Sequence, residues 1–211
     1  LEPTPFQRNA NLSDIYGADV YLKREDLQMV RSYKIRGAYN KIRTIDPELV
    51  KNGIVCASAG NHAQGVAFSC SKLKIMGSIF MPVTTPKQKI EQVRMFGKEY
   101  IEIVLTGDTF DAANAAAIDY ANENGKTFIP PFDDPKVIEG QGTIGKEILQ
   151  QAPEKLDYIF VPIGGGGLAS GLGSYLKAMS PETKIIGVEP GGAPCMKAAI
   201  EKGELVELED I

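Results

Sequence analysis

Two patterns of apolar positions alternate along the chain. Short continuous apolar runs predict strands at 18–23, 53–58, 75–81, 100–105, 127–129, 157–163 and 184–189. Longer stretches with helical spacing lie between them, at 35–44, 61–73, 86–96, 109–124, 138–151 and 168–179. Thr109 stands where its hydroxyl can accept an orphan N–H at the start of an Ala-rich helix. Strands that alternate with helices of this length indicate βαβ units, and so parallel sheets covered by helices on both faces. The fold class expected is therefore α/β with open, twisted parallel sheets. One internal break is rich in proline and charge, Pro130, Pro131, Phe132, Asp133, Asp134 and Pro135, and a domain boundary is expected near it. The acidic stretch 204–211 has no closing helix or Gly/Pro signal and reads as a chain cut short.

Composition narrows the functional classes. The 211 residues are 43% hydrophobic and 24% charged, an ordinary globular balance that excludes disordered and fibrous chains. A net charge of −4 recommends no nucleic-acid surface. No apolar run approaches the ~18 residues of a membrane span, and no segment reads as a signal peptide. Three cysteines, Cys56, Cys70 and Cys195, are an odd count without metal-type spacing and suit a reducing cytoplasm. With one histidine, a Ser-His-Asp hydrolase or a His-rich metal site would have to be built on His62 alone. No metal site is expected.

Three constellations carry candidate chemistry. Gly164, Gly165, Gly166 and Gly167, then Leu168, follow an apolar strand and open a helix. Glycines let the backbone approach a ligand closely, and the unpaired N–H groups at the positive end of the helix dipole bind an anion, naturally a phosphate. A tight turn without a ligand is the plainer alternative. Gly164, Gly166 and Ala169 also fit a dinucleotide fingerprint, with the acidic Glu189 about 20 residues on, so an NAD-linked oxidoreductase is a rival. Gly140 to Lys146 fits G-x-x-x-x-G-K, but Glu147 replaces the Ser/Thr that would hold Mg²⁺, and the segment reads as a helix start. A second cradle, Ser58, Ala59, Gly60, Asn61 and His62, follows another strand and would suit a carboxylate; the plainer reading is a helix capped by Asn61. Lys34, between Tyr33 and Ile35 near a helix start, would be half-buried; burial lowers a lysine's pKa and frees its amine for Schiff-base chemistry, the alternative being a solvated helix lysine.

Taken in order, these segments resemble the fold-type II pyridoxal-phosphate enzymes, and among them the threonine dehydratases (threonine ammonia-lyases). The similarity rests on Lys23 to Gln28, Ser32 to Ala38, Ser58 to Gly65, Phe132 to Pro135 with Gly140 to Thr143, and Gly164 to Leu168. It implies that Lys34 forms the imine with the cofactor aldehyde and acts as the base for the substrate α-proton. It also implies that Asn61 bonds the cofactor 3-hydroxyl, that Gly164, Gly165, Gly166, Gly167 and Leu168 hold its phosphate, that Tyr33 packs on the ring and that Gly187 lines its far edge. Ser58, Ala59, Gly60, Asn61 and His62 would surround the substrate carboxylate. The implied reaction deaminates L-threonine, and L-serine with it, to 2-oxobutanoate or pyruvate and ammonia.

Within the family, the serine racemases carry a second serine where this chain has Ala59, which argues against racemisation. The run Thr84 to Lys89, with Val93 to Gly97, resembles the biosynthetic dehydratases of the isoleucine pathway more than the catabolic ones. The family's partner for the pyridine nitrogen and the biosynthetic enzymes' regulatory domain are not in this sequence. Glu189 matches one cation ligand of some relatives, but Cys195 stands near where the second would be. The expected organisation is a larger domain of 1–52 with 131–211, a smaller one of 53–130, and the cofactor between them, in a cytoplasmic homo-oligomer, dimer or tetramer. A non-enzymatic binding or assembly module is the remaining alternative.

Overall fold

The computed structural model describes residues 1–206; part of the acidic stretch 204–211 lies outside them. Internal contacts divide the chain into a first unit, Leu1–Pro131, and a second that begins at Phe132.

The first unit opens with an antiparallel pair, β1 (Phe6–Arg8) and β2 (Tyr21–Lys23), joined through α1 (Ala10–Tyr16). Then follow α2 (Lys34–Thr44), the single-turn α3 (Pro47–Val50), β3 (Ile54–Ala57), α4 (Asn61–Leu73), β4 (Gly77–Met81), α5 (Lys87–Gly97), β5 (Ile101–Leu105), α6 (Phe110–Glu123) and β6 (Thr127–Phe128). The last four strands form one parallel sheet in the order β5-β4-β3-β6. Every residue of β3 and β4 is buried, as expected for strands covered on both faces. Side-chain alternation explains how. Ile54 and Cys56 of β3 join Ile79 and Met81 of β4 against Ala38 and Ile42 of α2, Val66 and Cys70 of α4, and Val93 of α5. Val55, Ala57 and Phe80 point the other way, onto Ala117 and Ala121 of α6. Thr109 caps α6 by accepting from Ala112 N, as its position predicted.

The second unit contains α7 (Pro135–Gln151), β7 (Tyr158–Pro162), α8 (Gly167–Met179), β8 (Lys184–Val188) and α9 (Cys195–Lys202). β7 and β8 are parallel, with Val161 opposite Gly187. Helix α7 begins at Pro135 rather than 138: Asp134 accepts from Lys136 N and Val137 N, and proline suits the first helical position. The segment from Gly140 to Lys146 is therefore mid-helix and not a helix start. Its glycines serve packing. A Cβ on Gly171 of α8 would lie 2.2 Å from the Ile138 carbonyl oxygen and 2.7 Å from Gly142 N, so the two helices cross at backbone distance. Gly171→Ala is expected to destabilise the fold by about 1–3 kcal/mol through overpacking, measurable as a lowered urea midpoint.

The division by contacts differs from the grouping expected from sequence, which placed 1–52 with 131–211. The reason lies in α2, whose Ala38 and Ile42 are part of the core beneath the parallel sheet. Among the described residues, no helix is long and apolar enough to cross a membrane.

Candidate active site

Lys34 is the first residue of α2, and Ser32 Oγ accepts its backbone N–H at 3.2 Å. The start of α2 sits directly on α4. A Cβ on Gly65 would meet Ile35 N, Ile35 Cα and the Lys34 carbonyl oxygen, each at 3.1 Å, so the missing side chain is what brings the two helices together. Lys34 is half-buried, its Nζ donates to the Pro131 carbonyl at 2.6 Å, and burial lowers its pKa. The Tyr33 ring centroid is 5.8 Å from the same Nζ, and burial raises the phenol's pKa.

The turn between β3 and α4 carries Ser58, Ala59 and Gly60. Ser58 Oγ accepts from Gly60 N at 3.1 Å, which fixes the turn. Gly60 is the N-cap and Asn61 the first helical residue, so Asn61 does not cap α4, contrary to the plainer sequence reading. Gly60 has no side chain to cap the first N–H groups of this helix. Asn61 is exposed. His62, unlike Asn61 before it, is buried: the residue is 4% exposed and its Nε2 lies 2.9 Å from the Ile129 carbonyl oxygen. A carbonyl only accepts, so Nε2 carries the proton. The imidazole is thus turned into the protein.

Burial, with the Lys34 charge adding to it and the Ile129 carbonyl opposing, pushes the His62 pKa down to about 4 from 6.5. The sign of the consequence follows. Above pH 6.5 the ring is neutral folded or unfolded; between 6.5 and 4 the unfolded chain takes up a proton that the folded one refuses. Stability should fall by about 3 kcal/mol as acid is added across that window and be level above it. Urea titrations of wild type and His62→Gln check this, because the glutamine variant lacks the titrating ring and should lose that part of the slope.

The glycine turn belongs to the second unit. Helix α8 starts on Gly166, whose φ of +81° is a left-handed conformation that glycine adopts without strain. As at α4, no side chain caps it. Asn9, Asp46, Thr109 and Asp134, by contrast, cap α1, α3, α6 and α7 with side-chain oxygens. Among the described residues α4 and α8, like α5, thus begin without a side-chain cap; α4 and α8 start on glycine, which leaves their first N–H groups open to an anion. Gly164 and Gly165 are exposed, and a Cβ on Gly164 would meet nothing within 4 Å.

The sequence assigned Phe132 no individual role, yet it shapes this turn. A Cβ on Gly165 would stand 2.4 Å from its ring, and one on Gly167 would stand 2.9 Å from its carbonyl oxygen. Some of the glycines are therefore demanded by packing on Phe132 as well as by any ligand. Leu168 follows in the first turn of α8, and Gly187 lies in the β8 ladder.

Glu189 also has a structural task. Its Oε1 accepts from Met196 N at 2.8 Å and its Oε2 from Lys197 N at 2.9 Å, so both oxygens secure the start of α9. The dinucleotide reading needs this carboxylate for a ribose, and here it is engaged. In the first unit the half-buried amine suits an electrophilic carbonyl; in the second the start of α8 suits an anionic group.

Comparison with known proteins agrees with this chemistry. Over residues 1–211 the chain matches the family model described as pyridoxal-phosphate dependent enzyme. It is 57% identical over 208 residues to the biosynthetic L-threonine dehydratase of Halalkalibacterium halodurans, covering 99% of this chain and 50% of that one. The corresponding protein of Bacillus subtilis is 54% identical, with 99% and 49% covered. The chain thus spans about half the length of the curated relatives it matches. Among solved structures, the processed form of threonine deaminase isoform 2 from Solanum lycopersicum superposes with a TM-score of 0.96 at 45% identity, covering 100% of this chain and 60% of that one. With its α/β fold of parallel sheets, and with no support for a nicotinamide-linked rival, this chain belongs to the family of pyridoxal-phosphate-dependent enzymes.

Proposed function

We propose that this chain holds pyridoxal 5'-phosphate and that its protein deaminates L-threonine, and L-serine with it, to 2-oxobutanoate or pyruvate and ammonia, as the first step of isoleucine synthesis. The observation that carries the reading is the Lys34 amine, half-buried at a helix start and lowered in pKa by burial. The dehydratases named above support the choice of substrate. A small-molecule substrate, a cytoplasmic setting and a homo-oligomeric state belong to the same proposal.

When bound, the cofactor supplies the electron sink for charge released at the substrate α-carbon. Lys34 would hold its aldehyde end. The N–H groups of Gly164, Gly165, Gly166, Gly167 and Leu168 would hold the phosphate, with Asn61 at the 3-hydroxyl, Tyr33 against the ring and Gly187 along its far edge. The remaining work is done by the chain. A lowered pKa raises the neutral fraction of Lys34 Nζ, so this nitrogen can take the α-proton. Bare N–H groups at the start of α4, with Ser58, Ala59, Gly60, Asn61 and His62, would bind the substrate carboxylate. The imidazole of His62 points away from that task, so His62 would contribute its backbone. Ala59 has no titratable group with which to return a proton to the opposite side of the α-carbon, which favours elimination over racemisation.

The test is an absorbance spectrum of the whole protein loaded with pyridoxal phosphate, with and without L-threonine, alongside ammonia release. A visible band that changes on adding threonine, with ammonia formed and no response to NAD, is the expected result. Binding of NAD with no visible band would overturn the proposal.

A further inference from the structure

His62 is a buried ring that the reaction above does not use, and its hydrogen bond ends in an informative place. Residues 129–131 run Ile129, Pro130, Pro131. Ile129 N donates to the Val55 carbonyl at 2.8 Å, which continues the ladder of β6 beside β3. After it, two consecutive prolines remove two backbone donors, so the segment cannot be held there by its own N–H groups. Its carbonyls remain. The Ile129 carbonyl accepts from His62 Nε2 at 2.9 Å, and the Pro131 carbonyl accepts from Lys34 Nζ at 2.6 Å. The ring that holds one end comes from the first turn of α4; the amine that meets the other comes from the first turn of α2. Gly65 locks those two helices against each other at backbone distance.

We propose that His62 is a positioning residue for Lys34: its Nε2–H fixes the Ile129 carbonyl, and the proline segment so fixed sets where the Pro131 carbonyl meets the Lys34 amine. The imidazole acts through three residues of backbone and touches neither substrate nor cofactor; only the backbone of His62 belongs to the proposed carboxylate cradle. The proposal rests on the reading of Lys34 as the cofactor-holding amine only for the purpose of the arrangement, not for its existence.

The experiment measures the Lys34 amine directly, in the whole protein stripped of cofactor. Acetylation by a trace of acetic anhydride at fixed pH, quantified at Lys34 by peptide mass spectrometry against the other lysines, reports how firmly the amine is held. His62→Phe keeps a ring of similar size and removes the donor; His62→Gln keeps a donor at the reach of Nε2. Lys34 should be labelled about fivefold faster in His62→Phe, the factor expected for loss of one ordinary hydrogen bond, and within about twofold of wild type in His62→Gln. Equal labelling of Lys34 in wild type and a folded His62→Phe would overturn the proposal, as would a changed rate in both variants alike. If His62→Phe does not fold, His62→Asn, whose amide stops at the Nδ1 position, carries the same expectation. Failure of both to fold would assign His62 to folding alone and overturn it too. Because no cofactor is present, a result here stands apart from the spectrum that tests the proposed reaction.

Discussion

Under the proposed function, Lys34→Ala should leave the protein folded and stop turnover of threonine, by about 10³-fold or more. In that proposal one nitrogen both holds the cofactor and accepts the α-proton, and general base catalysis alone contributes roughly 10²–10⁴-fold. The side chain is half-buried, bonds the Pro131 carbonyl and is not part of the core built on Ala38 and Ile42, so its removal should not disturb that core. Three measurements bear on it: ammonia release, the visible band of the loaded protein and thermal unfolding. Loss of the first two with little change in the third is the expected pattern. A variant that turned over threonine at the wild-type rate would end the assignment of Lys34.

Arg36→Ala should act in the opposite way, on stability first. The Arg36 guanidinium meets Glu25 through two bonds of 2.8 Å, and the side chains are 4% and 13% exposed. The Thr4 hydroxyl donates to the same carboxylate. The pair ties the turn after β2 to the first turn of α2, two residues beyond Lys34. Removing one member leaves a buried charge without its partner, which costs about 3–5 kcal/mol, whereas removing both costs much less. Urea unfolding of Arg36→Ala, of Glu25→Gln and of the double variant would measure this. The double variant should be clearly more stable than the sum of the two single losses predicts. Additive losses would mean that the two side chains contribute independently.

The parallel sheet of the first unit was legible because central parallel strands are continuous apolar runs. Residues 53–58 and 75–81 enclose β3 and β4, every residue of which is buried. Thr109 announced α6 by a local rule. What escaped depends on partners distant in sequence or on very short elements. β1 has three residues, and α9 is secured by Glu189, which lies before its first turn and looked like a ligand residue. Asp134 followed by Pro135 was a readable helix start, but the proline-rich surroundings read as a break. The candidate site divides along the same line. Its glycines and Lys34 stood out by residue type and spacing. The tie from His62 to Ile129, across 67 residues, and the ring of Phe132 beneath the glycine turn have no local signature.

The ladder of β7 and β8 has a practical consequence. Its residues Ile159, Val161 and Ile185 are at least partly covered, while Tyr158, Phe160, Ile186 and Val188 are open, Phe160 to 68%. Among the described residues these side chains form an open apolar stripe, whereas β3 and β4 of the first unit are buried throughout. A polypeptide of these 211 residues should therefore bind a reporter dye such as ANS through that stripe, and Phe160→Ser should weaken the signal.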